Sequence, residues 1–303
     1  MTLSKITALK FRKCVATFMA TLMMTLSLSY TQNNQADAIK MPEIRTYRRH
    51  NYYSSDTTSY YPYNLIVDGK SNARTIFGDN DMVRDTDSAV VRIEGDGYGG
   101  TGFIVGDHEI ATAAHCVYSR DDDEFLKFEI LIIDANNNVI KTISPHYVHI
   151  NEDYETARNY TASSPYDYAM IYVDEDLSQY GKFNLGLALD SYADNNGSVI
   201  VSGFPDSNYY PNDYKGKKWG IRFKAKGNII GKTQEMLRYN ADTAEGDSGG
   251  PVYIEEKRMV NGNLQEYKTA IAINVCYNND YNASVRMTAE VLKLYGDNPN
   301  KTE

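Results

Sequence analysis

Near the C-terminal end of the sequence, Gly246-Asp247-Ser248-Gly249-Gly250 sets a serine among glycines, and the strand-like run Pro251-Val252-Tyr253-Ile254 follows it. A serine hydroxyl is a weak nucleophile until a base takes its proton. The glycines permit a sharp turn that aims amide N–H groups at an approaching carbonyl oxygen. If Ser248 attacks, the N–H groups of Gly246 and Ser248 are the natural oxyanion donors. Taken alone, the stretch also reads as a tight Gly-Ser turn between two strands.

Two other stretches supply what Ser248 needs. Thr101 to Val117 reads as a strand, a turn and a second strand that ends in small residues before His115. A neutral imidazole near pH 7 can take the serine proton and return it to a leaving amine. In Ser164-Pro165-Tyr166-Asp167-Tyr168-Ala169-Met170-Ile171, Asp167 opens an apolar strand, so its carboxylate is partly desolvated. There it can accept from the imidazole N–H, fix the tautomer and stabilise the imidazolium. Asp153 lacks an apolar strand to hold it, and Asp174 follows its strand. His108 falls in a turn, and His146 and His149 in a polar loop. All five histidines (His50, His108, His115, His146, His149) precede Ser248. That order, with a strand after the serine, excludes the strand-to-helix nucleophile elbow that Gly-x-Ser-x-Gly otherwise suggests.

The groups must be carried on elements that bring them together. Short apolar runs alternate with Gly, Asn, Asp and Pro: Ala89–Ile93, Thr101–Val105, Glu109–Ala113, Phe128–Ile133, Asn138–Ile143 and Tyr168–Val173, then Ser198–Ser202, Gly220–Lys224, Glu235–Tyr239, Pro251–Ile254, Lys268–Asn274 and Ala283–Arg286. A dozen short strands without a β-α-β rhythm predict an all-β sandwich or barrel, in two halves bridged near Asp174–Lys182. One helix is expected, capped by Thr288, with Val291, Leu292 and Tyr295 on one face and Gly296 as its stop.

The 303 residues carry 40 Asp+Glu against 31 Lys+Arg, a net charge of −9. No basic nucleic-acid footprint is present. Residues 1–38 read as an export signal: a basic start, an apolar run from Cys14 to Leu28, and Ala36-Asp37-Ala38 for cleavage. Residues 39–74, rich in Tyr and Ser, read as a pro-segment that ends near Arg74. A secreted, extracellular monomer is expected, with no membrane contact after processing. The expected domains are 75–180, an N-terminal barrel, and 181–296, a C-terminal barrel plus helix, with 297–303 a tail. Cys14 leaves with the signal, so Cys116 and Cys276 allow at most one disulfide.

Thr112-Ala113-Ala114-His115-Cys116, Asp167-Tyr168-Ala169-Met170-Ile171 and Gly246-Asp247-Ser248-Gly249-Gly250-Pro251, in that order, resemble the chymotrypsin-like serine endopeptidases over roughly Thr75 to Gly296. The resemblance implies two six-stranded antiparallel β-barrels with a C-terminal helix. It also implies a Ser248–His115–Asp167 triad acting on protein or peptide substrates through an acyl-enzyme, without metal or other cofactor. Within that family the chain is similar to the bacterial glutamyl endopeptidase branch, through Ser202-Gly203-Phe204-Pro205, the start Thr75-Ile76-Phe77-Gly78-Asp79-Asn80-Asp81, and the scarcity of cysteine. The usual disulfide partner of Cys116 falls near Gly100, which implies a free thiol, with Cys276 the other candidate partner.

For the specificity pocket the resemblance implies Thr243, Asn274 (where that branch has histidine) and Asp242. Asp242 lies where trypsin-like enzymes place the acid that binds Lys or Arg. Cleavage after acidic residues, cleavage after Lys or Arg, and a preference for neither all stay open. Asp247 follows the trypsin pattern, in which the acid pairs with an ammonium freed by activation. A protease-fold binding or adhesion protein without turnover is the reading from another class, although such proteins usually lack one of the three residues. A protease restricted to one target protein is a third reading.

Overall fold

The computed structural model describes residues 82–296 except 211, 215, 218–219, 261–262 and 278–280. The export signal, the pro-segment, the Thr75 start and the tail lie outside the described residues. The chain enters through β1 (Met82–Arg84), then β2 (Val90–Gly95), β3 (Tyr98–Gly106) and β4 (Glu109–Thr112). A small hairpin follows, β5 (Tyr118–Ser119) with β6 (Glu124–Phe125), then β7 (Phe128–Ile133), β8 (Val139–Ile143), β9 (Tyr147–Ile150) and β10 (Ala169–Tyr172). Between β9 and β10 lie two short helices, α1 (Glu152–Thr156) and α2 (Tyr160–Ser163), each capped by an Asn side chain.

Seven of these strands form one curled antiparallel sheet in the order β8-β7-β2-β3-β4-β10-β9. Val91, Ile93, Ile110, Ile130 and Ile132 share one buried face, and Phe103 and Met170 are buried on the other. Burying such a side chain fully gains about 1.5–3 kcal/mol. The edge strand β8 is exposed except at Ile143.

The second half begins with β11 (Asn184–Leu185) and α3 (Asp190–Asp194). It continues with β12 (Ser198–Gly203), β13 (Phe223–Lys232), β14 (Met236–Tyr239), β15 (Pro251–Val260), β16 (Asn263–Tyr277) and β17 (Asn282–Arg286). The path β13-β12-β15-β16-β17-β14 closes on itself through a β13–β14 pairing, giving a six-stranded barrel. Val199, Val201, Phe223, Leu237, Tyr239, Val252 and Ile271 form its core. The expected double-barrel class is therefore borne out. In ladder terms the C-terminal barrel closes at six strands, and the N-terminal one is a seven-stranded curl.

Three details differ from expectation. β1 pairs with β13, so the stretch before the first barrel is laid along the second one. His149 lies in strand β9, not in a polar loop. Its strand was hidden by polar residues at alternate positions, and it forms because β10 offers an edge at Met170. β15 and β16 run well past the barrel as a ribbon in which Lys257 meets Glu266 at 2.8 Å.

The last helix, α4 (Ala289–Gly296), is where the sequence places it. Thr288 Oγ1 accepts from the Val291 N–H at 3.3 Å. Val291 and Tyr295 are buried, and the Tyr295 hydroxyl donates to the Ala169 carbonyl at 3.2 Å. A helix at the end of the second half thus braces β10 of the first.

Candidate active site

β4 and β10 are antiparallel neighbours, with Thr112 opposite Ala169. His115 lies three residues beyond that pair on one strand, and Asp167 two residues before it on the other. Both therefore emerge at the same end of the sheet. Each is presented by a tight turn: Ala114–Cys116 for the histidine and Ser164–Tyr166, led by Pro165, for the aspartate.

Asp167 is 7% exposed. Its Oδ1 accepts the His115 backbone N–H at 2.9 Å, and its Oδ2 meets His115 Nδ1 at 2.7 Å. A carboxylate only accepts, so Nδ1 carries the proton and Nε2 is left with its lone pair. Burial pushes the imidazole toward its neutral form. The Asp167 carboxylate and the Cys116 sulfur outweigh that and hold its pKa well above the ordinary histidine value.

The Ser248 loop belongs to the other barrel but is tied to the first. The Ser248 carbonyl accepts from the Thr101 N–H at 2.8 Å and from the Cys116 thiol at 3.4 Å. The serine therefore lies against the residue next to His115. The Thr101 hydroxyl, wholly buried in β3, donates to the Gly246 carbonyl at 2.8 Å and accepts from the Phe204 N–H at 3.0 Å. Gly246 has φ +97°, and a Cβ there would sit 2.4 Å from the Phe204 carbonyl. Only glycine meets both conditions. The Glu245 carbonyl accepts from the Asp206 N–H at 2.7 Å.

Asp247 turns inward. One oxygen accepts the Ala244 N–H at 2.8 Å, and the other has no hydrogen-bond partner among the described residues. Burial raises its pKa to about 8, against a small pull downward from the Ala244 bond.

Asp242 and Thr243 are buried in the strand-like approach to this loop. The Asn274 side chain spans the Tyr239 hydroxyl at 2.5 Å and the Asp247 carbonyl at 2.9 Å. Cys116 is a free, buried thiol, while the side chain of Cys276 lies outside the described residues. His146 pairs with exposed Asp174 at 3.0 Å on the surface, and Asp153 is exposed in α1. Sequence reasoning missed Thr101 and Tyr239. A hydroxyl between glycines in an otherwise apolar strand was the available signal for Thr101.

A family description, Trypsin-like peptidase domain, matches residues 100–260. The chain belongs to the trypsin-like peptidases. This trypsin-like peptidase is 26% identical over 227 residues to the glutamyl endopeptidase of Bacillus licheniformis, covering 72% of this chain and 67% of that protein. Its fold is similar to that of a solved Glu endopeptidase in complex with MPD. The TM-score is 0.59 at 16% identity, over 73% of this chain and 97% of the other. The double barrel and serine endopeptidase chemistry follow from this membership. The trypsin-like peptidase resembles the glutamyl endopeptidase branch in particular.

Proposed function

We propose that the chain is a secreted endopeptidase in which Ser248 is the nucleophile, His115 the general base and then acid, and Asp167 the carboxylate that orients it. The supporting observation is the 2.7 Å contact between His115 Nδ1 and Asp167 Oδ2, beside a serine whose carbonyl is bound by the neighbouring thiol. Ser248 would add to the scissile carbonyl as His115 Nε2 takes its proton. The N–H groups of Gly246 and Ser248 would hold the oxyanion, and the proton would pass to the leaving amine. Water then repeats the sequence on the acyl-enzyme. Secretion is supported by the pattern in residues 1–38. A fluorophosphonate probe tests the core of this reading. It should label the parent, and Ser248→Ala should lose both label and turnover while keeping its circular dichroism spectrum. Persistent turnover in that variant would overturn it.

For the residue before the cut, an acidic side chain is the first reading. It is supported by the name of the Bacillus relative and by Thr243, whose hydroxyl can donate to a carboxylate. Asp242, buried at 5% exposure, favours a second reading, Lys or Arg. Cleavage of a peptide library, scored at that residue, separates the two. Activation by cleavage near Arg74 is supported by the buried Asp247 oxygen that has no partner among the described residues, a site where a new ammonium would gain a charge-assisted bond. Activity with residues 39–74 still attached, checked by mass spectrometry, would overturn it.

A further inference from the structure

The peptide bond is planar and trans, so a carbonyl and the N–H of the same plane point in opposite directions. Whatever holds the Asp247 carbonyl therefore aims the Ser248 N–H. Two donors hold it: the Gly250 N–H at 3.0 Å and Asn274 Nδ2 at 2.9 Å. A side-chain amide has nearly the same outline when turned end for end, and its other orientation would set oxygen against oxygen. The Tyr239 hydroxyl, 2.5 Å from Asn274 Oδ1, fills the acceptor end. The Asp247 carbonyl can only accept, so Nδ2 must face it. Asn274 is 4% exposed and Tyr239 fully buried. The Asn274 backbone is fixed too: its N–H donates to the Gly250 carbonyl at 2.9 Å, and its carbonyl accepts from Gly249 at 2.7 Å.

We propose that Asn274, locked by Tyr239, is a positioning residue for the oxyanion site: it turns the Asp247–Ser248 peptide so that the Ser248 N–H faces the developing charge. The amide donor that could have read a substrate carboxylate is spent on the enzyme's own loop. The Gly246 N–H is aimed by the same geometry, but there the pin on the Glu245 carbonyl is the backbone N–H of Asp206. The inference rests on Ser248 being the nucleophile.

The test compares the parent with Asn274→Leu, Asn274→Asp and Tyr239→Phe on a peptide panel that varies the residue before the cut. Removing a whole oxyanion donor costs about 10²–10³ in kcat. Misaiming one should cost about 10–100-fold, in kcat rather than KM. Asn274→Leu should lose that factor equally on every peptide, and peptide-aldehyde inhibitors should weaken in proportion. Tyr239→Phe, which removes one buried oxygen and leaves Asn274 in place, should show a smaller loss of the same uniform kind. It carries the test if Asn274→Leu does not fold. Asn274→Asp should gain on the parent as pH falls, because only the protonated acid can donate to the Asp247 carbonyl. A change in preference among the peptides with kcat retained would overturn the proposal, as would unchanged kcat in Asn274→Leu. Fluorophosphonate labelling of the parent, blocked by Ser248→Ala, is scored separately. Its failure would sink the nucleophile assignment itself.

Discussion

At the scale of single residues, the proposed chemistry needs a hydroxyl, an imidazole and a carboxylate, which is what singles out Ser248, His115 and Asp167 in the chain. An amide at 167 would still bond the His115 ring but could present its N–H to Nδ1, forcing the proton to Nε2 and removing the base. Asp167→Asn should therefore lose about 10⁴ in kcat. It should also move the pH profile. His115 has a raised pKa in the fold because Asp167 outweighs burial, so the parent should gain kcat/KM as pH rises through a value above the usual histidine range. The residual activity of Asp167→Asn should rise at lower pH. The same raised pKa means that the pair's contribution to stability is complete below the unfolded histidine value and is lost as pH climbs through the folded one. Asp247 behaves alike for a different reason. Burial lifts its pKa to about 8, so the fold holds this proton more tightly than the unfolded chain does. Stability from that proton is full below about pH 4 and gone above about pH 8. Melting temperatures should show the parent losing ground to Asp247→Asn across that window. Processing that supplies an ammonium should flatten the difference. Tyr239 was not legible, and Thr101 was marked only by its place between glycines, because their hydroxyls act through partners more than thirty residues away in sequence.

At the scale of elements, buried strands were visible as short apolar runs between turn residues. Phe128–Ile133 was read to the residue. The extensions of β15 and β16 were not visible, since Glu255, Lys257, Gln265 and Glu266 present no apolar face to count. They extend because each strand supplies the other's hydrogen bonds. β9 was missed because its pairing edge comes from β10, not from its own pattern. The β3 start and the turn after β4 offer an engineering check. A Cβ placed on Gly100 would lie 3.3 Å from the Cys116 Cβ and 2.7 Å from its sulfur, close to the spacing a disulfide needs. The thiol introduced by Gly100→Cys should therefore oxidise to a disulfide with Cys116. Closing a loop of this length should add about 3 kcal/mol, read as a raised melting point that reducing agent reverses. Thiol titration showing two free cysteines at these positions, in the folded and oxidised protein, would refute the geometry.

At the scale of the molecule, the proposed site draws His115 and Asp167 from one barrel and Ser248 from the other, so its geometry depends on what fastens the two together. Besides Tyr295 and Cys116, two buried side chains do this. Arg222, ahead of β13, reaches the carbonyls of Val90 at 2.9 Å and Ile133 at 3.4 Å in the first sheet, over the Phe204 ring. Burial lowers its pKa, and Asp85 and Asp87 work against that. Thr101 reaches the other way, from β3 to the Gly246 carbonyl and the Phe204 N–H. Thr101→Val keeps the shape of the side chain and removes the hydroxyl. It leaves one buried acceptor and one buried donor without that partner, each costing about 1–3 kcal/mol. The Thr101 backbone bond to the Ser248 carbonyl survives, so the barrels stay joined. The denaturant midpoint should fall, in one cooperative transition, by an amount equivalent to about 2–6 kcal/mol. Thr101→Ser, which restores the hydroxyl and loses only a methyl, should recover most of it. An unchanged midpoint in Thr101→Val would show that the hydroxyl contributes nothing to joining the barrels. Two separate transitions would show the opposite: that the barrels unfold as one body only while this hydroxyl bridges them.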